Sequence, residues 1–296
     1  MKKSETLRGI IPPIISPFNA SGNIDKAIFR REVRHLIECG VHGLSPGGST
    51  GEGAALTDEE LSELIRMVKE ENTKGLPIVA GVIRTSTQAA VKTALAAKAA
   101  GADALMVTPV FYNVLVPDEK GNYSFYEAIS DAARLPVIIY NVVPQNEITS
   151  EAFSRLLEIP HVVGIKQSIG GIMAFYDMVI TNGKRGMIYA ATDEMLYSTF
   201  DLGADGAISA ILSLFPRLCV KMWDLTQEGR NDEARKIQDM IYPVWKAVRG
   251  PQFPARMKAA LRLMGRDCGY SRSPMSEVTE AQVSQMKKLL EHIRDE

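Results

Sequence analysis

The sequence predicts an α/β fold, a (β/α)8 barrel followed by additional C-terminal helices. Short apolar runs alternate with helical patterns along the 296-residue chain, which is typical of βαβ units and a parallel sheet. Three junctions repeat one pattern of helix end, glycine and apolar strand: ECGVHGLSPGG, AAGADALMVTP and DLGADGAISAI. The rival fold, an open doubly wound sheet, would place a G-x-G-x-x-G turn after the first strand, and PFNASGN lacks one.

Eight apolar runs are the candidate strands. In chain order they are GIIPPIISP, GLSPGG, PIVAGV, ALMVTPVFY, PVIIYNVV, VVGIKQS, MIYAAT and GAISAI. In a barrel of parallel strands, functional residues lie at the carboxyl ends of the strands. The residues that close each run are therefore the candidates for chemistry.

Terminal signals predict two of the helices between these runs. Thr57 begins TDEELSELIRMVKEEN and Glu60 follows three residues later, which indicates a capping box. The alanine-rich TSTQAAVKTALAAKAAG ends at Gly101, a C-cap signal. Beyond the eighth run, four more helical patterns begin at residues 215, 231, 253 and 279. We predict a barrel over residues 1–225 and a helical region, packed on it, over residues 226–296.

Composition argues against several kinds of partner. The net charge of -1 gives no reason to expect nucleic acid or an anionic membrane. The three cysteines are far apart, and Pro12 and Pro13 interrupt the N-terminal apolar run, so we expect a cytoplasmic protein without a signal peptide. The four histidines are scattered, so no metal site is predicted.

The segment SPGGSTGEGAAL, residues 45–56 and hereafter the glycine loop, has the composition of an anion-binding loop. Its glycines allow sharp turns and a close approach to a ligand, and Ser49 and Thr50 add hydroxyl groups. A nucleotide-binding loop would place a lysine after the second glycine of its motif. Here Glu52 follows Gly51, so any positive charge must come from elsewhere in the chain.

Two residues at strand ends are candidates for catalysis. Lys166 interrupts the apolar run HVVGIKQS, and a lysine buried there would tend to lose its proton and become a nucleophile for carbonyls. Tyr140 ends PVIIY, where its hydroxyl needs a partner. Taken alone, each residue has a simpler interpretation: Lys166 could reach solvent, and Tyr140 could be a core residue.

The motifs G-G-S-T-G-E, Y-N and G-I-K occur in this order at residues 47–52, 140–141 and 164–166. Together they resemble the dihydrodipicolinate synthase / N-acetylneuraminate lyase family of class I pyruvate aldolases, from about residue 8 to the C-terminal helices. The family fold is a (β/α)8 barrel with C-terminal helices. The resemblance implies a homo-oligomer, a dimer or tetramer, that uses no cofactor beyond a covalent imine.

The resemblance also implies roles for individual residues. Lys166 would form the Schiff base with pyruvate, and Tyr140 would relay protons. Thr50 would hydrogen-bond Tyr140, and either Tyr112 or Phe111 would be the second aromatic residue, borrowed from a neighbouring subunit. The residues expected to bind substrate are Gly48, Ser49, Thr50, Ser168, Asp193, Glu194 and Ile208. The anion at the glycine loop would be the pyruvate carboxylate, bound by hydroxyl and backbone N–H groups.

The aldehyde partner is the open question. Synthases of the family usually carry an arginine two residues after the proline of Y-N-x-P, whereas YNVVPQN has Asn146 there. ATDEM resembles the G-x-D-E of N-acetylneuraminate lyases, although acids such as Asp193 and Glu194 also favour a helix N-terminus. Arginine clamps a carboxylate better than asparagine does, so the sequence favours a 2-keto-3-deoxy sugar acid or N-acetylneuraminate-type lyase. The alternative is 4-hydroxy-tetrahydrodipicolinate synthase, which condenses pyruvate with aspartate semialdehyde.

The sequence argues against two other classes of protein, a keto-acid sensor and a metal-dependent barrel enzyme. A keto-acid sensor derived from the family would be expected to lose the lysine or the tyrosine, and both are present. A metal-dependent barrel enzyme usually needs several histidine ligands, which the scattered histidines do not provide.

Overall fold

The computed structural model describes residues 4–293 and 295, and at its centre is a curled parallel sheet. The strands are β1 (Gly9–Ile10), β2 (Val79–Val82), β3 (Ala104–Val107), β4 (Val137–Asn141), β5 (Val162–Gln167), β6 (Met187–Ala190) and β7 (Gly206–Ala207). They pair in the order β1-β7-β6-β5-β4-β3-β2. Every strand pair in this order is parallel, as predicted.

The predicted second strand, residues 43–48, contributes isolated bridges between β1 and β2. Ser45 pairs with Pro13 and Leu44 pairs with Ile78, both in parallel. The run ends early because Pro46 has no N–H to donate and Gly47 turns at φ +75°. These bridges join the two edges of the sheet, so the prediction of a (β/α)8 barrel is confirmed.

Helices follow most of the strands. They are α1 (Lys26–Glu38), α2 (Asp58–Glu71), α3 (Thr87–Ala100), α4 (Glu119–Ala133), α5 (Ser150–Leu156), α6 (Gly171–Asn182), α7 (Leu196–Asp201), α8 (Ile211–Leu214), α9 (Pro216–Gln227), α10 (Asn231–Val248), α11 (Phe253–Leu263) and α12 (Glu280–Leu290). The capping box of Thr57 and Glu60 is present. Gly101 ends α3 at φ 107°, as its position predicted. None of the helices in the described part is both long and apolar enough to span a membrane.

A separate apolar cluster fills the inside of the barrel. Its buried members are Leu7, Ile11, Val79, Ala104, Met106, Ile138, Tyr140, Met187, Tyr189 and Ile208. Successive side chains of a strand point to opposite faces, so Tyr140 points inward two residues after Ile138. By the same alternation Thr108, which follows Met106, points inward at the carboxyl-terminal rim.

The C-terminal helices are tied to the barrel by polar contacts as well as by packing. Arg266 donates to the carbonyls of Ser213 and Leu214 and forms a buried ion pair with Glu32 of α1. Helix α10 packs on α9 and α12. The division at residue 225 stays a prediction.

Candidate active site

Lys166 and Tyr140 lie side by side at the carboxyl-terminal end of the barrel. They are paired in register across β4 and β5, and each side chain is only 5% exposed. The Lys166 Nζ atom lies 3.6 Å from the centroid of the Tyr140 ring. The structure therefore favours burial of both side chains over the solvent-exposed alternative for Lys166. Gly164 lets Met187 and Tyr189 pack closely against β5, because a Cβ atom there would meet them at 2.8–3.3 Å.

The Tyr140 hydroxyl donates to the hydroxyl of Ser49 at 3.1 Å. The sequence-based expectation gave this contact to Thr50, so the structure corrects it. In the glycine loop, Gly51 N donates to Gly48 O and Glu52 N donates to Ser49 O. These successive turns leave Ser49 exposed and bury Thr50, which is 4% exposed. A bond from Thr50 to Tyr140 is absent because the adjacent serine occupies that place.

Close backbone contacts explain two glycines at this point. A Cβ atom on Gly53 would lie 1.8 Å from the carbonyl oxygen of Gly47, and one on Gly81 of β2 would lie 2.2 Å from it. Both distances are impossible for a real side chain. The glycine loop is thus packed tightly against β2, and only glycine fits at these two positions.

The asparagine of the Y-N motif points away from Tyr140 and organises the loop after β4. Asn141 donates to Ile148 O and accepts from Ile148 N, which closes residues 141–148. Within that loop Asn146 is 5% exposed, and its amide exchanges hydrogen bonds with Asn122 and donates to Val110 O. Asn146 is therefore a structural amide with its groups already used, and not a clamp for a substrate.

Asp193 and Glu194, expected to bind substrate hydroxyl groups, are instead bonded within the protein. Asp193 is buried and its Oδ1 accepts from Ile211 N at 2.6 Å. Glu194 Oε2 accepts from Trp245 Nε1 of α10 at 2.9 Å. Both carboxylates hold neighbouring helices, and neither lines the large cavity described below. The hydroxyl-binding role stays a prediction, and these internal contacts give the two carboxylates a structural role.

Asp193 gives a testable pH dependence of stability. Burial raises the pKa of its carboxyl from 3.8 to about 6, opposed by the Ser209 hydroxyl, the Ile211 N–H and the Lys166 charge. Because the folded-state pKa exceeds the unfolded one, this contribution to stability is full below pH 3.8 and is lost as the pH rises to 6. A shift of about two pKa units corresponds to on the order of 3 kcal/mol.

We predict that Asp193→Asn, which keeps an oxygen acceptor for Ile211, flattens this dependence. The free energy of unfolding, measured by urea titration from about pH 4 to pH 6.5, should fall less in the variant than in the wild type. Parallel curves for the two proteins would contradict the assignment.

The remaining predicted substrate-binding residues lie around the barrel mouth. Ser168 follows Lys166 by two residues, and its buried hydroxyl has no hydrogen-bond partner in the described part of the chain. Thr108 Oγ1, at the end of β3, is also buried without a partner there. Gly48 packs near Met106, and Ile208 is fully buried in the inner cluster. Buried hydroxyls without a partner in the described residues are suited to binding a polar ligand.

A cavity of about 750 Å³ opens at the same end of the barrel. Its wall includes Ser49, Thr108 and Phe111. Tyr112, by contrast, is 55% exposed on the outside, next to the exposed Val114 and Leu115. Phe111 thus belongs to the wall within this chain. Whether Tyr112 enters a neighbouring subunit stays a prediction.

Sequence reasoning gave no role to three charged residues here. Glu52 and Arg272 line the cavity, and Lys258 of α11 is fully buried against Glu52. Helix α11 is buried at residues 255 and 257–261. The sequence signal that could have drawn attention to Lys258 is a lysine among the apolar residues of this helix, because lysine is rarely fully buried without a partner.

One cluster of metal-ligating atoms occurs in the described part of the chain, and it lies outside this cavity. The ligand atoms of His35, Cys39 and Asp295 lie within 4.8 Å of one another. The Asp295 carboxylate already accepts from the backbone N–H groups of Arg217 and Leu218 at the start of α9. This arrangement has the character of a helix cap.

A parallel barrel with a buried lysine and a tyrosine at its carboxyl-terminal mouth has the groups that Schiff-base chemistry needs. The chain belongs to the dihydrodipicolinate synthetase family, whose model matches residues 6–293. Its members are lyases and synthases, so the prediction of an enzyme of this family is confirmed.

Individual relatives agree over nearly the whole chain. The 4-hydroxy-tetrahydrodipicolinate synthase of Methylobacterium radiotolerans is 33% identical over 276 residues, covering 93% of this chain and 91% of the relative. The dihydrodipicolinate synthase structure from Thermotoga maritima superposes with a TM-score of 0.91 at 27% identity, covering 96% of this chain and 98% of that one. CdNal of Clostridium difficile, solved in complex with mannosamine, gives a TM-score of 0.87 at 27% identity, covering 96% and 98%.

Proposed function

We propose that the protein is a Schiff-base pyruvate lyase in which Lys166 forms the imine. The observation that carries this proposal is the pairing of Lys166 with Tyr140, together with the bond from Tyr140 to Ser49. A nucleophile is thus placed beside a proton-transferring hydroxyl, which in turn contacts an anion-binding loop. The pyruvate carboxylate would lie against Ser49 and backbone N–H groups of the glycine loop.

The reaction would proceed in balanced steps. The Lys166 nitrogen attacks the C2 carbonyl of pyruvate through its free electron pair, the carbonyl oxygen takes up protons and leaves as one water molecule, and one further proton stays on the nitrogen of the resulting protonated imine. Loss of a proton from C3 gives an enamine, with the iminium nitrogen accepting the electron pair. The enamine carbon attacks the aldehyde, whose oxygen takes up a proton, and water releases the product from the lysine. Tyr140 would transfer these protons.

For the acceptor we propose aspartate semialdehyde, which makes the protein a 4-hydroxy-tetrahydrodipicolinate synthase. Relatives of that name cover nearly the whole chain, which favours the synthase over the sugar-acid lyase that the sequence alone favoured. The sugar-acid alternative also rested on Asp193 and Glu194, which are bonded to protein groups. Among described residues lining the cavity, Arg272 is the only cation. It lies outside the YNVVPQN motif, and its guanidinium is already paired with Glu60 and bonded to the carbonyls of Gly22 and Ala55, so the choice of acceptor rests on the relatives.

A side-by-side assay tests this choice of acceptor. With one preparation, we expect kcat/KM for aspartate semialdehyde plus pyruvate to exceed that for a 2-keto-3-deoxy sugar acid by tenfold or more. That ratio corresponds to about 1.4 kcal/mol of transition-state preference. Borohydride trapping of pyruvate serves as the control, because it reports imine formation with either acceptor. A sugar acid preferred by tenfold would return the assignment to the lyase.

A further inference from the structure

A buried ion pair joins the C-terminal helices to the glycine loop. Lys258 of α11 is fully buried, and its Nζ donates to Glu52 Oε1 at 2.7 Å. The same ammonium donates to the carbonyls of Ser16 at 2.7 Å and Tyr270 at 2.6 Å. An ammonium group has three donors, so all of them are used.

Glu52 is held at both ends of its carboxylate. Its second oxygen, Oε2, accepts from the backbone N–H of Arg272 at 2.9 Å. The Glu52 backbone is left-handed, with φ 55°, a conformation that is sterically unfavourable for a residue with a side chain. Such a conformation persists only where the surroundings enforce it, and here Lys258 and Arg272 provide that constraint.

A contribution to folding stability does not account for the Lys258–Glu52 ion pair. Burial lowers the pKa of Lys258, opposed by the charge of Glu52, so the pair bears a desolvation cost. Apolar residues of similar volume often replace a buried ion pair without loss of stability. A charged pair that is held at both ends is therefore better explained by the geometry it fixes.

That geometry leads directly to Tyr140. Glu52 N donates to Ser49 O, and Gly53 N donates to Gly48 O, so the backbone at Glu52 closes the turn that carries Ser49. The hydroxyl of Ser49 contacts Tyr140. A change at Glu52 would move this hydroxyl, and a misplacement of about 1 Å can cost a catalytic site on the order of 100-fold.

We propose that Lys258 is a positioning residue for the reaction: through Glu52 it holds Ser49 and Thr50 where pyruvate and Tyr140 need them. The inference rests on the proposed function, because the effect is read as pyruvate binding and turnover. It assigns a buried residue of the C-terminal helical region a role in positioning the glycine loop.

The test compares Lys258→Met, Glu52→Gln and the double variant with the wild type. In Lys258→Met we expect KM for pyruvate to rise and kcat to fall, each on the order of 10-fold. Borohydride should still label Lys166 at saturating pyruvate. The double variant removes the unpaired carboxylate and should recover thermal stability while keeping the raised KM.

The matched control is Glu32→Gln, which removes a carboxylate from the buried pair with Arg266, away from the glycine loop. It should lower the melting temperature and leave KM for pyruvate unchanged. A purely structural role for Lys258 predicts another pattern, in which the double variant recovers KM together with stability, and that pattern would overturn the proposal. So would an unchanged KM in Lys258→Met.

Failure of the proposed function would be recognised separately. If the wild type forms no pyruvate adduct, the Schiff-base assignment fails, while amide hydrogen exchange of residues 47–53 still tests the positioning. Faster exchange there in Lys258→Met, but not in Glu32→Gln, would support the constraint on the loop. Unchanged exchange would refute it.

Discussion

Replacing Lys166 with alanine is expected to abolish turnover and borohydride-dependent labelling by pyruvate. The enamine requires a covalent imine, and alanine has no amine to form one. Folding should be retained, because alanine avoids the cost of a buried amine at a site that is 5% exposed. Turnover measured with a coupled assay, together with circular dichroism of the same sample, separates loss of chemistry from loss of fold.

Lys246→Ala is the matched control for this substitution. Lys246 also lies over a tyrosine ring, 5.6 Å from the centroid of Tyr242, but it is exposed on α10. Its removal should leave turnover and labelling unchanged. A Lys166→Ala protein that still turns over substrate would show that another lysine carries the imine.

The second large effect is expected from Tyr140→Phe. Phenylalanine keeps the ring against Lys166 and removes only the hydroxyl that contacts Ser49. General acid–base groups contribute roughly 10²–10⁴-fold to rate, so kcat should fall by about that factor. Imine formation should become slow, while the melting temperature changes little.

Tyr189→Phe provides the comparison within the same barrel layer. Tyr189 is paired in register with Lys166 from the other side, but its hydroxyl donates to Leu7 O at 2.8 Å. Loss of this buried bond should cost about 1 kcal/mol of stability with little change in kcat. Equal effects of the two substitutions on kcat would contradict a proton-transfer role for Tyr140.

Local signals in the sequence predicted the barrel well. These signals depend only on residues close together in the sequence, so they can be identified without the structure. They are the capping box at Thr57, the glycine C-cap at Gly101 and the order of the apolar runs. The second run was harder to predict, because Pro46 and Gly47 turn the chain away after two bridging residues. The apolar composition of this run does not distinguish it from a longer strand.

Residues of the candidate site were harder to predict where their partners are distant in sequence. Glu194 resembles a substrate-binding acid, but its partner Trp245 lies 51 positions along the chain. Glu52 and Lys258 are separated by 206 positions, and no local pattern predicts that pairing. The contact to Tyr140 was predicted for Thr50 but is made by Ser49, and the cause is similar. The turn that presents Ser49 depends on the left-handed backbone of Glu52, which these distant contacts enforce.

The central claim is an imine between pyruvate and Lys166, and the mass of the trapped wild-type protein tests it most directly. The protein is incubated with pyruvate and sodium borohydride, with and without EDTA. Its intact mass is then measured by mass spectrometry, and the modified residue is located by peptide mapping. We predict one adduct per chain, equal to pyruvic acid less one oxygen atom, on Lys166 and unaffected by EDTA. No adduct, an adduct on another lysine, or an adduct that EDTA prevents would contradict the account.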